Sequence, residues 1–105
     1  MDIQREGDQS LVVLPPERAN GHTFIAFYRS DGEDLDIPVF LETVKHLGAT
    51  NISPVFSPYD TRYEFFVSGR RVLLIDDTLN GSCVVGSEDD EEMLQSIMNA
   101  LKKTD

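Results

Sequence analysis

Hydrophobic and polar residues in the second half of the chain follow the period of two that is typical of β-strands. The segment Tyr63–Ser68 alternates between two faces, Val72–Asp76 is apolar on both faces, and Ser82–Gly86 alternates again. Two turn-forming pairs, Ser68-Gly69 and Asn80-Gly81, separate these segments. The pattern therefore predicts a meander of three antiparallel strands, which is a scaffold and does not define a function.

The first half of the chain predicts further strands. Leu11–Leu14 is a short apolar run ended by two prolines, and His22–Arg29 is rich in aromatic and β-branched residues. We expect these two segments to pair as a hairpin, with Glu17–Gly21 forming a turn between them. Asn51–Phe56 predicts another strand, and Pro54 places it at a sheet edge or at a bulge because proline cannot donate to the ladder.

Apolar residues recur at helical spacing in two other segments. Ile37–Leu47 carries one apolar stripe, with Asp36 placed to cap its start and a glycine directly after its end. A second stripe, Met93–Leu101, follows Ser87, a natural helix cap, and Asp90 stands at the capping-box spacing from it. Both segments are predicted to be amphipathic helices.

The predicted elements follow the order ββαββββα, and hairpin-length connections make the sheet mostly antiparallel. We therefore expect one α+β domain over residues 1–105, with a mostly antiparallel sheet of five or six strands and two helices. A chain of this length can bury its own core without disulfides or metals. Residues 1–10 show no periodicity and are expected to form a loose leader.

Charge changes this picture most. Nineteen acidic residues against nine basic ones give a formal net charge of −10. Such a surface repels nucleic-acid phosphates and anionic membranes, so we expect neither as a partner, whereas a basic protein partner is favoured. Acidity also keeps proteins soluble, and this simpler explanation has equal weight.

The distribution of apolar residues also indicates the cellular compartment. No apolar run approaches the roughly 20 residues that a transmembrane helix needs, and the polar N-terminus lacks the features of a secretory signal. Cys83, the single cysteine, can form no internal disulfide and is expected to be a small buried residue. These features predict a cytoplasmic protein.

Three acidic segments supply the candidate binding residues. Loop 30–36 has spaced carboxylates, but its glycine is misplaced and the final glutamate of a calcium loop is missing. The pair Asp76-Asp77 either begins a turn after the most apolar strand or belongs to a site. The run 88–92 is either stabilised by a helix dipole or forms an interaction patch. The candidate partner-binding residues are Asp31, Glu33, Asp34, Asp76, Asp77, Glu88, Asp89, Asp90, Glu91 and Glu92.

The chain contains none of the motifs GxGxxG, Walker loop, GxSxG, HExxH or CxxC, so we expect no enzyme, no metal and no cofactor. A small, acidic, cytosolic α+β chain of this kind resembles the immunity proteins of bacterial toxin–immunity systems, including those of contact-dependent growth inhibition. The resemblance concerns size, charge and architecture over the whole chain and assigns no residue roles. It implies a protein that binds a cognate basic toxin domain, often a nuclease, and blocks its active site or substrate groove. Carboxylates would then occupy the cationic surface that binds phosphate.

Two alternatives stay open. Secretion-type chaperones are also small, acidic and α+β, although they resemble helix-first dimers, and a carboxylate-based metal-binding module is the other alternative. We expect the free chain to be a monomer. Exposed aromatic residues ringed by carboxylates would make a protein-binding surface, and Tyr28, Tyr59, Tyr63 and Phe66 are the aromatic candidates. The Asp76-Asp77 pair and the run 88–92 would form one surface if both lie at the same edge of the sheet.

Overall fold

The computed structural model describes residues 10–77 and 81–103. The predicted leader, apart from Ser10, and Asn80 of the predicted Asn80-Gly81 turn lie outside these residues. Within the described ranges the elements are β1 Leu11–Val13, β2 Glu17–Ala19, β3 His22–Arg29, α1 Ile37–His46, β4 Thr50–Val55, β5 Thr61–Val67, β6 Arg70–Asp77, β7 Gly81–Ser87 and α2 Glu91–Lys103. The α+β prediction is confirmed.

The strands form one antiparallel sheet in the order β1-β3-β7-β6-β5-β4, and β2 pairs with β3 beside β1. The described sheet has seven strands rather than five or six, because Glu17–Ala19 is a strand and not part of a turn. Its three side chains are all exposed, so no apolar alternation marks it. The turn itself is the pair Asn20 and Gly21, whose φ angles of 55° and 80° suit a two-residue hairpin.

Prolines interrupt both edges of the sheet. Pro15 and Pro16 separate β1 from β2 along one edge, and Pro54 lies within β4 along the other. The register of β4 against β5 also shifts between Thr50 and Ser53. The edge position predicted from Pro54 is confirmed. Within the described strands, neither edge offers an uninterrupted ladder to which another strand could add.

Both helices pack on the same face of the sheet, which we call the covered face. The ring of Phe40 in α1 lies between those of Phe27 and Phe65, with centroid distances of 6.3 and 6.0 Å. The remaining buried hydrophobic residues are Leu11, Ile25, Val44, Val67, Val72, Leu74, Val84, Leu94, Ile97, Met98 and Leu101. The alternate residues of the strands point to the opposite, open face, where no described helix lies.

The starts of the two helices differ in how well the sequence predicts them. The carboxylate of Asp36 accepts a hydrogen bond from the Val39 N–H at 3.1 Å, so the predicted cap of α1 is confirmed. The predicted contact for α2 is also present, because the Asp90 carboxylate accepts from the Ser87 N–H at 2.9 Å. The helix nevertheless begins only at Glu91, since residues 88 and 89 first form a turn.

Cys83 lies in β7 on the open face, opposite Ala26 and Ile75 of the neighbouring strands. It is free and half-buried rather than fully buried, and burial raises the pKa of its thiol. Neither described helix is both long enough and apolar enough to cross a membrane.

Candidate functional site

One end of the sheet carries a cleft lined by carboxylates. Here β3 and β6 end and β7 begins, so that Gly81 lies in one row with its pairing partner Asp77 and with Tyr28, whose Cβ would be 3.6 Å from a Cβ at Gly81. Gly81 has a φ of +90° and its missing side chain leaves a gap in that row; a Cβ there would lie 3.3 Å from the Phe27 carbonyl oxygen. The resulting cleft has a volume of about 190 Å³. We call it the acidic cleft, after its carboxylate residues Glu33, Asp34, Asp76 and Asp77.

The loop after β3 presents two of these carboxylates. Arg29 donates two hydrogen bonds to Asp31, at 3.2 Å from Nε and 2.7 Å from Nη2. The Glu33 N–H donates to the same carboxylate at 3.0 Å. The Arg29 guanidinium holds the pKa of Asp31 well below its ordinary range. Asp31 is therefore paired within the chain and shapes the loop that carries Glu33 and Asp34 into the cleft.

Asp76 is the carboxylate whose surroundings are least favourable to its charge. Burial is the main cause that raises its pKa, and the neighbouring charges of Asp34, Asp77 and Asp60 raise it further. A hydrogen bond that the Ser82 hydroxyl donates at 2.9 Å offsets part of this effect. The cleft thus gathers carboxylates that repel one another, and a cation bound among them would relieve that repulsion.

A second group of carboxylates, Glu88, Asp89, Glu91 and Glu92, lies at the opposite end of β7; we call it the distal acidic cluster. The seven residues of β7 separate it from Asp77 by about 20 Å. Glu91 pairs with Arg18 at 2.9 Å, and their side chains are 36% and 62% exposed. The condition under which Asp76-Asp77 and the run 88–92 would form one surface is therefore not met, because β7 runs between them.

Asp90 belongs to the same run but lies inside the protein, at 3% exposure. Its carboxylate accepts hydrogen bonds from the Ser87 N–H and from Arg70. Burial alone would raise the pKa of Asp90, but these hydrogen bonds outweigh it, and the pKa lies below the ordinary value. Gly86 makes room for it, since a Cβ there would stand 3.0 Å from the Asp90 Cβ. Asp90 therefore joins α2 to the sheet and is not presented to a partner.

The aromatic candidates divide into two groups. Tyr28 lines the acidic cleft and is 47% exposed, and Tyr59 is 88% exposed in the β4–β5 turn. Tyr63 instead packs against the core, and Phe66 is half-buried on the open face. Sequence reasoning missed Phe56, which is 91% exposed, because the predicted strand Asn51–Phe56 includes it. The signal for its exposure was its place beside a segment of turn composition, SPYD.

Among residues 10–77 and 81–103, no group of three or more His, Cys, Asp or Glu side chains is placed to hold a metal ion. Comparisons with models of protein families, with curated proteins and with solved structures found no match.

Proposed function

We propose that this chain is a non-enzymatic, cytoplasmic inhibitor that binds a basic protein, in the manner of an immunity protein that neutralises a toxin. The observation that carries the proposal is the acidic cleft, which is lined by Glu33 and Asp34 from a loop and by Asp76 and Asp77 from a strand end. The chain is expected to act without a cofactor and to be a monomer when free.

Electrostatics gives the physical reason. A lysine or arginine side chain of the partner that enters the cleft replaces repulsion between carboxylates with attraction, and Asp76 gains most because its charge is the least well stabilised. The net charge of −10 also speeds the encounter with a cationic surface and disfavours acidic proteins and nucleic acids. If the partner is a nuclease, carboxylates of the cleft would occupy the cationic groove that holds substrate phosphates.

Tyr28 adds contact area to the charge. Tyr28 lines the cleft and is 47% exposed, and aromatic rings attract cations and supply much of the energy of protein interfaces. No distance or contact among the described residues favours the chaperone or the metal-binding module over this inhibitor.

The proposal is tested with the basic proteins encoded beside this chain in its genome. Each is purified and titrated into the chain by calorimetry, at about 50 mM and about 500 mM salt, because screening weakens attraction between exposed charges. We expect one of them to bind, with an affinity that falls as salt rises, and to lose its activity when bound. The proposal is abandoned if none binds, or if one binds with an affinity that salt does not change.

A further inference from the structure

We infer that Phe56 and Tyr59 are the apolar anchors of this interface, and that they contact a partner segment carrying lysine or arginine beside apolar side chains. The inference rests on the proposed function and adds a second contact region with its own chemistry. It starts from exposure: Phe56 is 91% exposed and Tyr59 88%, whereas no other large hydrophobic residue of the described ranges exceeds the 47% of Tyr28. Exposed aromatic pairs of this kind mark protein contacts, where aromatic residues dominate the binding energy.

The turn that carries the two rings is held in shape. It connects β4 to β5, and Asp60 at its end accepts two hydrogen bonds from Arg62, at 2.7 and 3.2 Å. Ser57 donates a further hydrogen bond to that carboxylate, whose side chain is only 9% exposed. Pro58 fixes one backbone angle between the aromatic residues. Because these contacts hold the backbone of the turn, little backbone entropy is lost when a partner covers the rings.

Charge decides which partner fits. The turn lies at the same end of the sheet as the acidic cleft, because Thr61, which follows the turn, pairs with Asp76. The negative charge of Asp60 also helps to raise the pKa of Asp76. A second copy of this chain would bring the same carboxylates and another net charge of −10 to the contact. A purely apolar partner would leave carboxylates without water or cations. In a segment with both kinds of side chain, the apolar side chains would pack against the two aromatic rings and the cationic side chains would pair with the carboxylates.

The adjacent strand edge favours contact through side chains. β4 flanks the turn, but its Pro54 lacks an N–H and its register shifts between Thr50 and Ser53. An added strand would therefore find an irregular ladder. The partner segment is expected to bind by its side chains rather than by extending the sheet.

Two synthetic peptides of equal charge test the inference: one alternates lysine and leucine, and the other alternates lysine and serine. The chain has no tryptophan, so Tyr59→Trp places a single indole at the turn, and Leu47→Trp places one at the far end of α1 as a control. We expect the lysine–leucine peptide to shift the emission of the first indole and not of the second. On the unlabelled chain we expect it to bind at least about tenfold more tightly than the lysine–serine peptide, by calorimetry.

Removing the rings should remove that preference. In the double variant Phe56→Ser/Tyr59→Ser, both peptides should bind equally, while Leu14→Ser, an exposed leucine on the opposite edge, keeps the difference. Both changes lie at exposed positions, so folding should be unaffected. Equal binding of the peptides to the unaltered chain, a preference that survives in the double variant, or no binding of either peptide at about 1 mM would overturn the inference. Dimerisation of the chain that the double variant abolishes would overturn it too, because the second copy would then be the occupant.

A third variant separates this inference from the proposed function. This charge variant, Glu33→Gln/Asp34→Asn/Asp76→Asn, should weaken the binding of both peptides by the same factor, because it removes negative charge and leaves the two aromatic rings in place. If the charge variant weakens the binding of both peptides while the double aromatic variant changes nothing, the assignment of Phe56 and Tyr59 as anchors is refuted and the proposed role of the acidic cleft is supported. If the charge variant changes nothing while the double aromatic variant removes the preference for the lysine–leucine peptide, the anchors are supported and the proposed function is refuted.

Discussion

Asp90 is the buried carboxylate on which the attachment of α2 depends, and its replacement gives the sharpest test of the fold. In Asp90→Ala, the Ser87 N–H loses an acceptor that lies at 2.9 Å, and Arg70 loses its ion pair. A hydrogen bond to a charged group contributes about 1.5–3 kcal/mol. Since the Arg70 side chain is 49% exposed, its pair adds only about 0–1 kcal/mol. The expected loss of unfolding free energy is therefore about 1.5–4 kcal/mol, which at about 4 °C per kcal/mol lowers the melting temperature by about 6–16 °C.

Urea denaturation followed by circular dichroism measures this loss, and Asp89→Ala is the matched control. Asp89 is the exposed neighbour of Asp90 in the same acidic run, so its replacement should change stability by less than about 0.5 kcal/mol. If the two variants have similar stability, the structural role of Asp90 is refuted.

The pH dependence adds an independent check. Folding lowers the pKa of Asp90 below its ordinary 3.8, so its contribution is present above that value and is lost as the pH falls through the folded-state pKa. The gap in stability between the unaltered chain and Asp90→Ala should be constant from about pH 7 to pH 5 and shrink below 3.8. A gap that stays the same at low pH would contradict the assignment.

Three further stability predictions use the same denaturation assay. Gly86→Ala should cost about 1–3 kcal/mol, because the new Cβ would lie 3.0 Å from the Asp90 Cβ and force α2 to shift; an unchanged midpoint would contradict this close packing. Thr23→Val should stabilise by about 1 kcal/mol, since the buried Thr23 hydroxyl has no hydrogen-bond partner among the described residues; a loss of stability would point to a partner. Folding raises the pKa of Asp76, so its charge costs stability above that pKa and not below 3.8. Asp76→Asn, which keeps an acceptor for Ser82, should therefore stabilise at pH 7 by less than about 1 kcal/mol and have no effect near pH 3; destabilisation at pH 7 would contradict this.

Local patterns in the sequence were sufficient for most of the fold. The alternation in Tyr63–Ser68 and the cap at Asp36 depend on neighbouring residues only, and both predictions are confirmed. Glu17–Ala19 could not be recognised, because its strand conformation comes from pairing with β3 and not from a buried face. Phe56 belongs to the predicted strand Asn51–Phe56 and yet lies outside the sheet, since β4 ends at Val55.

The candidate site depended on geometry that the sequence does not contain. Asp34 and Asp76 are far apart in the chain and line one cleft because only β7 separates the ends of β3 and β6, which requires the strand order. The run 88–92 looked uniform in sequence, but one member is buried where Gly86 leaves space. Charge predicted the kind of partner, and only the strand order separated the acidic cleft from the distal acidic cluster.

The central claim, that the acidic cleft binds a basic protein, is tested most directly by two variants with the same change of charge. One is Glu33→Gln/Asp34→Asn/Asp76→Asn in the cleft, and the other is Glu88→Gln/Asp89→Asn/Glu92→Gln in the distal acidic cluster. The measurement is the dissociation constant of each variant for the basic protein that binds the unaltered chain. The cleft variant should bind at least about tenfold more weakly, and the distal variant should stay within about threefold of the unaltered chain. Equal weakening by both variants would show that net charge alone drives binding and would contradict a site in the cleft.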